Sequence, residues 1–298
     1  MKSDRVKAVF CAALGNVIWG FSFLFTKTGL AVAPNPNVML AHRFLLSSLL
    51  MLIPIFMGKQ KITLKGKDWR PMVALPLLQM SYYVFETYGV LYTNSTMAGL
   101  VLAVVPVVTI ATGALFLREY PTIKQALFCV VPVVGCILIT LSGKELGVMN
   151  TLGLVCLLLT MLSSAFFKTV NRNMSGQFTA YERTFLVLTI SGIAFGVVGM
   201  RTVDWDVKTF FAPILDVKYS LSVLSLSVLC SIVANLLVNY ATGQLSLFKV
   251  SSFGALSTLC TALAGAFILK EPFSVSLVIG GVLILVGVFF ITREKAKQ

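Results

Sequence analysis

Apolar runs of about twenty residues recur from one end of this 298-residue chain to the other, separated by short segments that hold most of the charge. A run of that length is what an α-helix needs to cross a hydrocarbon layer of roughly 30 Å. Inside such a layer the backbone must satisfy its own N–H and C=O groups, so the runs are constrained to be helices. Hydrophobic residues make up 57% of the chain and charged residues 12%, with a mean hydropathy of +0.92, which leaves too little polar sequence for a water-soluble domain.

Reading the runs against their breakers predicts helices at Ala8 to Leu30, Val38 to Phe56, Pro71 to Tyr92, Met97 to Leu117 and Ile123 to Leu141. A second set follows at Leu152 to Thr169, Phe178 to Met200, Leu221 to Tyr240, Val250 to Leu269 and Val275 to Ile291. The expected fold class is an all-α membrane protein of ten transmembrane helices. Nine helices remain only if the runs around Gly176 merge. The first run follows Lys2, Arg5 and Lys7 and ends in Ala31-Val32-Ala33, as a cleaved signal would. It is too long for a signal core and carries Lys27, so it reads as the first membrane helix.

Basic residues of short loops stay on the cytoplasmic side. Lys59, Lys61, Lys65, Lys67 and Arg70 fill the second loop, and Lys2, Arg5, Lys7, Arg293, Lys295 and Lys297 crowd the two ends. Both termini are therefore expected inside a cytoplasmic membrane. The net charge of +13 is dispersed among these loops and does not line one face, which argues against a nucleic-acid partner. Six cysteines all lie inside apolar runs, without zinc-site or disulfide spacing, and no cofactor or metal site is expected.

Sliding the chain over itself by 152 residues superposes two halves without gaps. Thr109, Gly113, Ala114, Leu117, Glu119, Gly135, Ile139 and Thr140 fall on identical Thr261, Gly265, Ala266, Leu269, Glu271, Gly287, Ile291 and Thr292. At a slightly smaller offset Lys27 meets Lys168 and Arg43 meets Arg183. The expected division is residues 1–146 and 147–298. Five helices per half is an odd number, so the second half enters the membrane from the opposite side. Inverted repeats of this kind are typical of secondary transporters, whose substrate site lies near mid-membrane between the halves.

Trp19-Gly20 followed by Lys27, Arg43-Phe44-Leu45, the stretch from Tyr88 through Ala98 to Pro106, and Leu117-Arg118-Glu119 echoed by Leu269-Lys270-Glu271-Pro272 occur in order. In these features the chain resembles EamA-type members of the drug/metabolite transporter superfamily over nearly its whole length. The resemblance implies ten helices, a central cavity between the repeats, and transport of small organic solutes, often outward. One departure is that Thr258 and Ile284 stand where the first repeat has Pro106 and Pro132. Without the prolines, helix nine is expected to bend less than helix four.

Ionisable residues inside a bilayer are costly and usually face a cavity or a partner. Glu86 and Arg43 fall at a similar level in the outer half, and Lys168, Glu182 and Arg183 near the inner surface. Glu86 and Arg43 read either as a site for the ammonium and carboxylate of a zwitterion or as a structural ion pair; Lys27, Lys168 and Arg183 read as gates or as helix-end residues that snorkel. Trp19, Tyr82, Tyr83 and Tyr88 are candidates to line a cavity through their ring faces, or to pack against lipid. Glu119 and Glu271 are expected to stabilise helix connections. Gly192 and Gly196 are spaced for close helix packing.

No Gly-x-Ser-x-Gly or His-Glu-x-x-His motif is present and His42 is the only histidine, so an enzyme is not expected. The expected partners are a small-molecule substrate and the lipid bilayer, with Glu86 acting either on the substrate or on a coupling proton. An amino acid or related amphipathic solute is the expected cargo, with a lipid-linked or sugar-type headgroup as the alternative. The residues do not specify the coupling ion, the direction of transport or the oligomeric state.

Overall fold

The computed structural model describes residues 2–63, 65–93, 95–141, 150–268 and 275–293. Nine helices among them are long and apolar enough to cross a membrane. They are α1 (Asp4–Val32), α2 (Pro36–Phe56), α4 (Ala98–Leu117), α5 (Ile123–Leu141), α6 (Thr151–Met174), α7 (Ala180–Arg201), α8 (Val217–Gln244), α9 (Leu247–Ile268) and α10 (Val275–Arg293). A further helix, α3 (Arg70–Tyr92), has 23 residues and the length to span, but Gln79, Glu86 and its tyrosines make it less apolar. Gly176 lies in a turn between α6 and α7, which are separate helices.

Local chemistry sets the boundaries. Asn35 caps α2 by accepting from the backbone of Asn37 and Val38, with Pro36 supplying the first-turn φ. Thr179 and Glu182 form a reciprocal capping box at the start of α7. Asp216 caps α8 through Lys218 and Tyr219.

Three of the spans are interrupted. In α1 the break falls at Phe21, and the carbonyl of Gly20 accepts from Thr261 Oγ1 at 2.7 Å. In α4 it falls at Val104, just before Pro106, whose missing N–H cannot continue the ladder. The ninth helix is interrupted too, at Phe253 beside Gly254, despite lacking a proline there. The expected asymmetry between α4 and α9 is therefore not seen as a break in one and continuity in the other. Glycine permits in α9 what proline enforces in α4. In α8, residues Leu226–Val233 form a π-helical segment.

Helices that occupy equivalent places in the two halves pack against each other and run antiparallel. Along α2 and α7, Ala41 meets Gly199, the carbonyl of Phe44 meets Gly192, Ser48 bonds Thr189 at 2.9 Å, and Tyr181 donates to the carbonyl of Met51. Residue numbers rise on one helix as they fall on the other. Along α5 and α10, Phe128 stacks on Phe290, Pro132 abuts Gly287, and Gly135 faces Gly280. A Cβ on either of the last two glycines would stand 2.5 Å from the other's carbonyl oxygen, so both must be glycine for the backbones to approach this closely. The remaining contacts exchange under the same swap of halves. α3 lies along α6, with Gly89 against Leu157, and α8 lies along α1, with Gly15 against Val238.

The two ends of the bundle differ in charge. One gathers Lys59, Lys61, Lys65, Lys67, Arg118 and Arg172 with the ends of α2, α4, α6 and α8. The other carries Asn35, bonded to Thr202, and the segment around Asp204, Asp206 and Asp216. Many large apolar side chains remain outward-facing, among them Leu127, Val130, Ile279, Val282 and Leu285 on α5 and α10. So broad an apolar exterior suits lipid as solvent and not water. All six cysteines are free thiols.

Candidate functional site

Polar side chains form a column inside the bundle, bounded by α2, α3, α6, α7 and α8. In the part of the column away from the basic end, Glu86 accepts a hydrogen bond from Tyr82 Oη at 2.8 Å, one helical turn earlier on α3. The Tyr82 and Tyr83 rings meet edge to face at 5.2 Å, and Tyr83 packs edge-on against Phe44.

Arg43 is buried and donates from Nε to Ser231 Oγ at 2.7 Å. Its guanidinium lies 5.9 Å from the Tyr83 ring centre and 5.3 Å from that of Phe44, within cation–π range. Of the two readings of Arg43 with Glu86, the structural ion pair is not formed. The physical reason is the π-helical segment of α8. Its widened turn presents Ser231 to the guanidinium, and carbonyls of the segment accept from Trp19 of α1 and Ser47 of α2. Trp19 Nε1 donates to the carbonyl of Cys230 at 2.8 Å, Asn235 Nδ2 to that of Ser231 at 2.8 Å, and Ser227 Oγ to that of Arg43 at 2.9 Å. Trp19 is thereby fixed across the α1–α8 contact.

Below this level a small cavity opens between α3, α6, α7 and α8. Gln79, Asn171, Thr184, Asn235 and Asn239 line it with amide and hydroxyl groups, and Phe167, Val187 and Leu188 complete its wall. Arg183 supports it from α7. Its Nη1 donates to both the carbonyl and Oδ1 of Asn171 at 2.8 and 2.7 Å, and its Nη2 to the carbonyl of Asn239 at 2.7 Å. Asn171 donates in turn to Asn239 at 2.6 Å, and Asn239 to Thr184 at 2.7 Å. Lys168 stands one turn above Asn171 on α6, half-buried and without a hydrogen-bond or ion-pair partner among the described residues.

The basic end of the bundle closes the column with two ion pairs. Arg172 binds Glu119 at 2.8 Å and also donates to the carbonyl of Thr242, while the second oxygen of Glu119 accepts from the backbone of Leu247 at 2.7 Å. Four helix ends, those of α4, α6, α8 and α9, are tied by this cluster. Lys67 binds both oxygens of Glu182, which also accepts from Thr63 and Thr179.

Glu182 is thus a cap and loop anchor at the bundle end, apart from the column. Lys27 is exposed near the opposite end of α1, and Tyr88 faces outward, stacked on Tyr92. Of the sequence candidates, Glu86, Tyr82, Tyr83 and Arg43 come together, with Arg183 among the amides below them; Trp19 is held at the α1–α8 contact, and Lys168 shares α6 with the cavity residues Phe167 and Asn171. Glu119 joins helices as expected, while Glu271 and Lys270 lie outside the described residues. Reading only charges and rings missed Gln79, Asn171, Asn235 and Asn239. Amides inside apolar runs carry the same desolvation cost in kind and were the available signal.

The EamA-like transporter family matches the chain over residues 6–141 and again over 151–293, and the chain belongs to that family. It is a family of transporters and not of enzymes. An uncharacterised transporter of Bacillus subtilis, YcxC, is 32% identical over 97% of this chain and 93% of its own length. An uncharacterised transporter of Archaeoglobus fulgidus is 22% identical over 95% of this chain and 98% of its own. A solved crystal structure shares the fold with a TM-score of 0.78 at 13% identity, covering 96% of this chain and 98% of that one. The chain is a multi-pass membrane transporter.

Proposed function

We propose that this transporter carries a small organic solute, an amino acid or a related amphipathic molecule, across the cytoplasmic membrane by alternating access. In this reading all ten helices cross, including α3, whose polar face is turned to the interior. Residues 1–146 and 147–298 act as two inverted repeats. Both termini lie in the cytoplasm, on the side of the basic loops. The direction is outward.

The observation that carries the reading is the antiparallel pairing of equivalent helices, α2 with α7 and α5 with α10, beside a polar interior. Two units related in this way have equal and opposite tilts available to them, so a site between them is opened to one side by the motion that closes it to the other. Tight glycine contacts along α5 and α10 supply the fixed seam. Glu86 is the candidate coupling group, because it is the carboxylate of the column and forms no ion pair among the described residues.

Flux of labelled amino acids in sealed proteoliposomes, with and without an imposed pH gradient, tests this. Transport is expected in the wild type, and Glu86→Gln is expected to lose gradient-driven flux while retaining solute exchange. Absence of flux for every amphipathic solute tried, or a Glu86→Gln protein with unchanged pH dependence, contradicts the assignment.

A further inference from the structure

We propose that the cavity between α3, α6, α7 and α8 is a carboxylate-binding subsite with Lys168 as its direct donor, so that the solute carries an anionic group. The proposal rests on the transport reading and specifies the chemistry of the cargo.

Charge balance is the starting point. A cation removed from water is stable only when paired or hydrogen-bonded, and a lone one costs several kcal/mol. The carboxylates nearby are committed. Glu119 serves Arg172 and Glu182 serves Lys67. Glu86 is held by Tyr82 and sits further out along α3. Since Gln79 and Phe167 share the cavity wall and Gly89 abuts Leu157, the antiparallel register places Glu86 beside about residue 160 of α6. That is roughly 12 Å from the level of Lys168 at 1.5 Å per residue.

Among the described residues, Lys168 on α6 and Arg183 on α7 are left without an acid, as Arg43 is further out. Arg183 is 2% exposed and spends both terminal nitrogens on amide and carbonyl oxygens, and its Nε is buried without a partner. Lys168 has no partner at all among the described residues. Lys168 is three residues before Asn171 and four after Ser164 on α6, on the flank of the face that lines the cavity. Arg183, locked by its bonds, contributes a fixed positive field. Lys168, free and on a flexible stem, contributes the donor that reaches the ligand. Asn235 commits its amide N–H groups to the carbonyls of Cys230 and Ser231, which leaves the ammonium of Lys168 as the donor for the ligand, while Phe167, Val187 and Leu188 form the apolar part of the wall.

The test is thermal unfolding of the purified full chain with matched probes at equal ionic strength: 3-phenylpropionate, its amide and 3-phenylpropylamine, and hexanoate, its amide and hexylamine. The carboxylates are expected to raise Tm in a concentration-dependent way and the amides and amines to leave it unchanged. Lys168→Met is expected to fold with a Tm at or above that of the wild type, because it removes an unpaired charge, and to lose the carboxylate response by at least about tenfold in apparent affinity. No shift with either carboxylate, an equal shift with amide or amine, or an undiminished response in Lys168→Met overturns the subsite. Binding needs no flux, so carboxylate stabilisation without transport leaves the subsite standing and defeats the transport reading. Flux of amines alone does the reverse.

Discussion

Arg172 Nε lies 2.8 Å from one carboxylate oxygen of Glu119, and the other oxygen of Glu119 accepts from the backbone N–H of Leu247. Glu119 ends the fourth helix of one half, and Arg172 and Leu247 belong to the other. The cluster therefore bridges the halves at the basic end, and opening the column there must break it.

Glu119→Gln and Arg172→Gln are each expected to favour the state open at that end. A charge-assisted bond at this partly exposed site is worth about 1–2 kcal/mol, which is roughly a five- to thirtyfold change in population. In a cysteine-free background, Ser164→Cys on α6 reports it by faster reaction with an impermeant thiol reagent from the basic side. Equal rates in the wild type and both variants would show that the cluster does not close the column.

Glu182 accepts from Lys67, from the backbone and hydroxyl of Thr63, and from the backbone of Thr179, and it is 1% exposed. Glu182→Gln keeps an oxygen but loses the charge, with an expected cost of about 2–3 kcal/mol. Lys67→Met is expected to cost less, because Lys67 is itself partly solvated. Thermal unfolding of both variants and of the double variant checks this, and additive effects contradict a direct coupling.

How far the sequence could be read follows from these residues. The apolar spans and the duplication were legible because apolar length and repeated small residues act locally, and Gly135 and Gly287, both at the contact of α5 with α10, are equivalent positions of the repeat. Glu86, Arg43 and Arg183 stood out because a charge in an apolar run has few explanations. The partners of those charges were not legible. Arg43 binds Ser231, 188 positions away, through a π-helical segment that no local pattern announces. Glu182 belongs to a capping box visible in Thr179-x-x-Glu182, yet its lysine comes from a loop more than a hundred residues earlier.

The glycine seam gives a third prediction. Gly135→Ala or Gly280→Ala forces the α5 and α10 backbones apart, at an expected cost of about 1–3 kcal/mol each, since the obstructing atom is a carbonyl oxygen that cannot rotate away. The double variant is expected to cost less than the sum, because one displacement accommodates both methyl groups. Wild-type melting temperature in either single variant would show that the seam is not tight. Gly176→Ala, where a Cβ meets no atom within 4 Å, is the control and is expected to be neutral.

Access to the interior from both sides of the membrane is the central claim, and Asn235 in the cavity wall reports it most directly. A cysteine-free variant carrying Asn235→Cys, reconstituted in sealed vesicles of each orientation, is exposed to a small impermeant thiol reagent. Labelling is expected from both sides, and a crosslink between cysteines placed at Glu119 and Leu247 is expected to abolish it from the basic side while preserving it from the other. Labelling from one side only, or labelling from the basic side that survives the crosslink, contradicts alternating access through this column.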